Sequence, residues 1–358
     1  MHLRLREDFQ RFPGITLHVG ASGVSAQFGA APVGPPPGVV PSAPSGIRDR
    51  PEGPQGSGPG AAIDRYRMRE INSAAVEDLS SHSLADVRRL IVEARTQAFD
   101  LARDQAEAAA FGVHSRAELE RRSRSLFRLF YKKRIAELDT AIAEADAEVM
   151  RLEAWKVETH IAARFETSEA ARRAWGHLVR NFEALRQSVR IWDVMADRDV
   201  HKILERSSAS RTVDRKPIAL DFADSELLRF DGRAMRFGNA NGEDILVYPG
   251  VVLMPRVDGA FALIDLREVG LAFEFQNFIE DETVPRDSEI VGETWAKVNK
   301  DGSRDLRFRD NYQLPILRYG RMVFTTSGGV LEEYQYSNAA AAAEFARAFE
   351  AYQSALAS

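Results

Sequence analysis

The stretch from Ala31 to Gly60 holds nine Pro and seven Gly in 30 positions. Proline lacks a backbone donor and fixes φ, and glycine loses the most conformational freedom on ordering, so neither helix nor strand can run through it. Residues 30–61 are therefore expected to form a disordered linker that divides the 358-residue chain. "GPPPG" at Gly34 to Gly38 has the composition of a short polyproline stretch that a groove can grip, and the simpler reading is a spacer.

Ahead of the linker, Ile15, Leu17 and Val19 alternate with polar residues, and Val24, Ala26 and Phe28 do the same. "GASG" lies between the two runs, which predicts a β-hairpin after a short first strand from Leu3 to Leu5. Residues 1–29 can bury little apolar surface, so this β-meander needs a partner in the chain or in another molecule.

Beyond the linker the period changes. "SLAD" at Ser83 and "SRAE" at Ser115 are helix-start signals, a hydroxyl followed three residues later by an acid. Ile135, Leu138, Ile142, Ala145, Val149 and Leu152 are spaced three and four apart, as are Trp175, Leu178, Phe182, Leu185, Val189, Trp192 and Ala196. The two seams predict long helices packed as an antiparallel hairpin or on a second copy. From Ile218 onward, branched and aromatic runs broken by Gly, Pro and Asp read as strands, closed by the amphipathic helix "SNAAAAAEFARAFEAYQSAL". Strands followed by one terminal helix is the order of a pleckstrin-homology-like (PH-like) barrel. The expected fold is thus α+β multidomain. It comprises an N-terminal β-meander (1–29), the linker (30–61), an antiparallel coiled-coil-like helical domain (62–207), and a PH-like β-barrel or sheet with terminal helix (218–358).

The chain has no Cys, which excludes disulfides, a thiolate nucleophile and Cys-based zinc sites. "MHLRLREDF" carries charges where a signal peptide needs an apolar core, and "ILVYPGVVLM" is about half the length that spans a bilayer. A cytoplasmic protein is expected. The net charge of −5 is uneven: Ile218 to Ser358 carries 14 basic and 23 acidic residues, whereas Arg116 to Arg134 carries 8 basic and 2 acidic.

Two stretches are candidate sites. "RRSRSLFRLFYKKR" offers Arg121, Arg122, Arg124, Arg128, Lys132, Lys133 and Arg134 around Leu126, Phe127, Leu129, Phe130 and Tyr131. A helix of this kind can lie on an anionic membrane or contact nucleic acid backbone. Its plainer reading has the aromatics packed inside the helical domain while the cationic heads reach water or pair with the acids that follow. "WAKVNKDGSRDLRFRDN" offers Trp295, Arg307, Phe308 and Arg309 as a ligand-reading or partner loop. Its plainer reading is a solvated hairpin turning at Asp301-Gly302, because the acids fit a calcium loop poorly. The seven His are scattered, and no phosphate-binding loop, dinucleotide fingerprint or nucleophile elbow is present, so no catalytic residue, metal or cofactor is assigned.

Three stretches together resemble an uncharacterised bacterial family, a domain of unknown function. They are "HLRLREDFQRFPGITLHVGASGVSAQFG", the junction formed by "QSVRIWDV" and "RSSASRTVDRKP", and "GETWAKVNKDGSRDLRFRDNYQLPILRYG". The resemblance brings no activity with it. The leading functional expectation is a non-catalytic scaffold that binds protein partners and can self-associate through its helices. The alternative is attachment to membrane or nucleic acid through residues 121–134, and the third is an enzyme whose site spacing does not reveal.

Overall fold

The computed structural model describes residues 5, 6, 9, 10, 15–21, 23–28, 68–159, 161–200, 205, 207, 209 and 211–358. In chain order they form β1 (Ile15–Gly20), β2 (Gly23–Phe28), β3 (Arg69–Glu70), α1 (Ala85–Ser123) and α2 (Lys132–Glu158). Then come β4 (Ala162–Thr167), α3 (Glu169–Leu185), β5 (Ile191–Asp199), β6 (Arg211–Pro217), β7 (Leu220–Ala223) and β8 (Arg229–Phe230). Next are β9 (Ala234–Phe237), β10 (Ile245–Val247), β11 (Val251–Pro255) and β12 (Phe261–Asp265). The last elements are β13 (Gly270–Ile279), β14 (Glu289–Trp295), β15 (Gln313–Thr325), β16 (Leu331–Tyr336) and α4 (Ala339–Leu356).

The alternation read at Ile15 to Val19 buries Ile15, Leu17 and Val19 on one face of β1, which pairs antiparallel with β2 from Ile15–Phe28 to Gly20–Gly23. The partner this hairpin needs lies within the chain. β4 joins β1 in parallel, with Ile15 opposite Ala163, and β8 extends the sheet beyond β4. The apolar run read as too short for a membrane becomes the β10–β11 hairpin, at the centre of a sheet ordered β12-β11-β10-β9-β7. Its turn residue Gly250 has φ +147°, and a Cβ there would lie 2.5 Å from Val19 Cγ2. Glycine is what lets β1 dock on this sheet.

The third sheet runs β13-β15-β16-β5-β3, with β14 also pairing β15 and β6 pairing β5. Helix α4, capped by Asn338 through the Ala341 amide, buries Phe345, Phe349 and Tyr352. The approach of α4 to β15 is close: a Cβ on Gly320 would sit 2.5 Å from the Ala342 Cβ. Helix α3 packs beside α4, its Trp175 ring 5.1 Å from Tyr352 and its Phe182 ring 6.1 Å from Phe345. Buried side chains from β1, β2, the start of α1, α3, the central sheet, β15, β16 and α4 form one hydrophobic core.

The other face of the third sheet is held by ions. Four strand steps separate β6 from β13, roughly 19 Å on a flat sheet. Arg215 on β6 nevertheless donates to both Glu280 oxygens, at 2.8 and 3.0 Å, just past β13. The sheet must curl strongly to allow it. The Arg215 guanidinium lies 4.0 Å from the Trp192 ring and 4.1 Å from the Phe278 ring, and Tyr319 Oη donates to Glu280 at 2.5 Å. Burial and that hydrogen bond push the Tyr319 hydroxyl far above its usual range. Alongside runs a chain of charges, Glu274–Arg321–Glu333–Arg211–Asp197–Arg69, linked at 2.6 to 3.0 Å. A bulge in β5 between Val194 and Ala196 keeps Asp197 on the face of Trp192, and Ile71 takes up the Met195 carbonyl.

Two expectations are corrected. The second helical seam ends with α3 at Leu185; Trp192 and Ala196 belong to β5, where Trp192 packs on Tyr319. A run of branched residues after "RQS" supports either period, and burial against the sheet decides it. No sheet closes into a barrel among the described residues, because β6 and β13 meet through side chains rather than backbone pairing. The linker expected over 30–61 lies outside the described residues, as do residues 3 and 4 of the expected first strand, and Leu5 is not in a strand.

Two predictions follow the buried charges. Arg215→Met alone strands the Glu280 carboxylate and lowers stability in denaturant melts by about 3–5 kcal/mol. Adding Glu280→Leu and Tyr319→Phe restores a large part of that loss. On the opposite face, Glu332 is buried, accepts from Ser73 Oγ at 2.5 Å, and shares its surroundings with Asp193. Burial pushes the Glu332 carboxyl up to about 7. The folded chain thus holds a proton that the unfolded chain releases in the ordinary carboxylate range. Stability falls as pH rises from that range through 7 and levels off above it, by about 3 kcal/mol. Glu332→Gln flattens this dependence, so the variant is the more stable protein at about pH 8 and closer to the parent at about pH 5.

Candidate functional site

Helix α1 has 39 residues, roughly 58 Å of helix. Val87, Ile91 and Ala94 near its start belong to the main core. From Leu101 on, its buried residues are Leu101, Ala108, Gly112 and Ser115, and they meet Leu138, Ala145 and Leu152 of α2 instead. Small residues bring the helices close: a Cβ on Gly112 would lie 3.5 Å from the Ala145 Cβ. Gln105 bonds Glu153 at 2.6 Å, Arg116 pairs with Asp146, and Arg134 with Glu118 at 3.3 Å. The antiparallel pair is rooted by Arg6, which bonds Asp104 and the Glu148 carboxylate, and by Phe9 stacked on Trp155 at 4.9 Å. Past this root, Asp104 to Arg124 extends roughly 30 Å as an arm.

The expected basic helix 121–134 is the arm's tip, and it is not one helix. α1 ends at Ser123, Arg128–Tyr131 forms one 3₁₀ turn, and α2 starts at Lys132. Two serines break it: Ser123 Oγ donates to the Glu120 carbonyl, and Ser125 Oγ accepts from the Phe127 amide.

The chain reversal decides the fate of the apolar residues. The plainer expectation placed them inside the helical domain, but Leu126 is 98% exposed, Phe130 86%, Leu129 66% and Phe127 64%. The two Phe rings lie 6.5 Å apart. Only Tyr131 is half-buried, with Arg122 stacked on it at 4.9 Å. Among the cations, Arg122 pairs with Glu118 at 2.8 Å, Arg124 with Glu120 at 2.6 Å and Arg134 with Glu118 and Glu137. Those hydrogen bonds, Arg134's first, hold the Glu118 carboxyl below its usual range. Arg121, Arg128, Lys132 and Lys133 are exposed and have no ion pair among the described residues. The tip therefore combines four large wet apolar side chains with four uncompensated positive charges.

The second candidate stretch folds on itself. Gly302 turns at φ +84°, Asn299 N–H donates to the Ser303 carbonyl at 2.8 Å, and Val298 bridges Arg304. Asp301 accepts from the Ser303 amide and hydroxyl, which lowers its pKa. Trp295, at the end of β14, is covered by Arg304 at 4.6 Å rather than by Arg307. Arg307 forks onto the buried Asp305 carboxylate at 2.8 and 2.9 Å, and Phe308 and Arg309 stay at the surface. Trp295 and Arg307 thus take separate partners, Arg304 and Asp305.

At the root of the arm, Ala94, Phe99, Ile161 and Leu227 line a cleft of 290 Å³ whose ionisable groups, Arg95, Lys156 and Glu226, include no carboxylate pair. No group of three His, Asp or Glu able to hold a metal occurs among the described residues, and no helix there is long and apolar enough to cross a membrane.

Apolar residues that serve contact rather than folding can be told apart by stability. Replacing Leu126, Phe127, Leu129 and Phe130 by Ser together leaves the melting midpoint near the parent's, within about 0.5 kcal/mol per site. Leu138→Ala or Leu152→Ala, inside the arm, costs about 2–5 kcal/mol. No family model, curated protein or solved structure matches the chain.

Proposed function

We propose that the chain is a non-catalytic attachment protein, in which an α+β body holds out a helical arm whose tip contacts a partner. The observation that carries this reading is the exposure of Leu126, Phe127, Leu129 and Phe130 at one chain reversal. A contiguous apolar patch exposed on a folded protein marks an interaction surface. In this reading the body provides the contacts to protein partners, or to a second copy, that a scaffold requires.

Finer features belong to the same proposal. Leu101, Ala108 and Ser115 on α1, and Leu138, Ala145 and Leu152 on α2, are buried and recur every seven residues, which supports coiled-coil-like packing. A strongly curled sheet with α4 laid against it supports a PH-like arrangement of the C-terminal strands. The resemblance of three sequence stretches to a bacterial domain of unknown function is likewise carried as a proposal.

The test is a photo-crosslinking residue introduced at position 129 and, as a control, at the fully exposed Val257, whose neighbours Asp258 and Gly259 meet Arg95 near the start of α1 rather than the tip. In the cell of origin, position 129 is expected to give a defined adduct with lipid or macromolecule, and position 257 is not. Indistinguishable adducts from the two positions would remove the basis for an attachment role.

A further inference from the structure

We infer that the partner of the arm's tip is an anionic lipid bilayer: Leu126, Phe127, Leu129 and Phe130 enter the acyl boundary while Arg121, Arg128, Lys132 and Lys133 meet headgroup phosphates. This rests on the attachment reading above and names its partner.

The argument is one of joint complementarity. A nucleic acid backbone supplies anions but no dry layer. It could stack a Phe ring on a base, yet Leu126 and Leu129, which are 98% and 66% exposed, would stay in water. A groove on a protein supplies the dry layer. It must then also desolvate carboxylates for four cations that find none among the described residues. The edge of a bilayer offers both within about 5–10 Å of depth. Leu and Phe sit in the acyl boundary, with Lys and Arg at headgroup level.

The acids near the tip do not oppose this. Glu118, Glu120 and Glu137 lie on the helical side of the reversal and are tied to Arg122, Arg124 and Arg134. The acidic residues 218–358, with 14 basic and 23 acidic groups, would be repelled by the same surface if they touched it. The arm prevents that contact. Its reach of roughly 30 Å is several times the Debye length of about 8 Å at physiological ionic strength, so the body is held outside the repulsive field.

The absence of Cys from the sequence makes the test direct. Phe130→Cys in the full-length chain gives a single site for an environment-sensitive fluorophore, and Val257→Cys is the control. The probes are vesicles of phosphatidylcholine alone, vesicles in which about one-third is phosphatidylglycerol, and duplex DNA. The expected result is a blue shift at position 130 with the anionic vesicles only and none at position 257. Binding to those vesicles should be at least about tenfold tighter than to neutral ones and should weaken as salt rises. In co-sedimentation, unlabelled Leu126→Ser/Phe127→Ser/Leu129→Ser/Phe130→Ser loses vesicle binding while keeping its melting midpoint. Arg121→Gln/Arg128→Gln/Lys132→Gln/Lys133→Gln loses the anionic preference. Equal binding to neutral vesicles, binding without a blue shift, or tighter binding to DNA than to vesicles each overturns the inference. If position 129 crosslinks a partner in cells but vesicles are not bound, the lipid is wrong and the attachment reading stands; if both fail, both fall.

Discussion

The architecture depends on a buried ion pair placed between rings. Arg215 and Glu280 sit at the two margins of one sheet, and their contact fixes how far that sheet curls. Charges taken out of water are costly unless every proton and lone pair is used. Here Glu280 accepts from Arg215, Tyr319 and the Glu282 amide, and the guanidinium faces are covered by Trp192 and Phe278. The curl brings β6 across one face of the sheet, and the opposite face is left for α4 and the shared core. A greasy substitute could fill the space but would not fix the distance between the margins, which is why the pair works as a geometric constraint.

Against that rigid body the arm follows a different rule. Its interior is narrow, leucines interspersed with small residues, so it is held by close helix contact and by polar ties along its length. The body buries most of its Phe and Tyr rings, with Phe275 and Tyr312 left exposed; the arm exposes two Phe and two Leu together at the chain reversal. Large apolar side chains left in water at the end of a well-formed hairpin contribute nothing to folding. In the attachment reading proposed above, what the tip meets explains the placement.

Much of the layout is legible in the residues. The alternation at Ile15 to Val19 gave β1, Asp301-Gly302 gave its turn, and the amphipathic stretch "SNAAAAAEFARAFEAYQSAL" gave α4. The seam from Ile135 to Leu152 gave α2. Sequence reading failed where partners are distant. Nothing local tells that β4 will lie parallel to β1, or that Arg215 will find Glu280, 65 positions away. Trp192 and Ala196 fit a helical period as well as a strand, and only the neighbouring strands resolve it. At the tip the cations were visible, and of the two readings of the aromatics the plainer one, burial inside the helical domain, fails because the segment is not one continuous helix. The serines at 123 and 125 were the available signal, since each offers the backbone a bond that competes with the helix.

The way the arm is joined has a mechanical consequence. α2 passes within a few residues into β4, and β4 lies parallel to β1 along five paired positions. Tension applied at the tip therefore enters the body through β4, whose ladders with β1 and β8 are the first backbone pairings it meets. α1 meanwhile returns the load through Val87, Ile91 and Ala94 into the common core. If the tip is the attachment point proposed above, a pull on the body is shared between the β4 ladders and the common core.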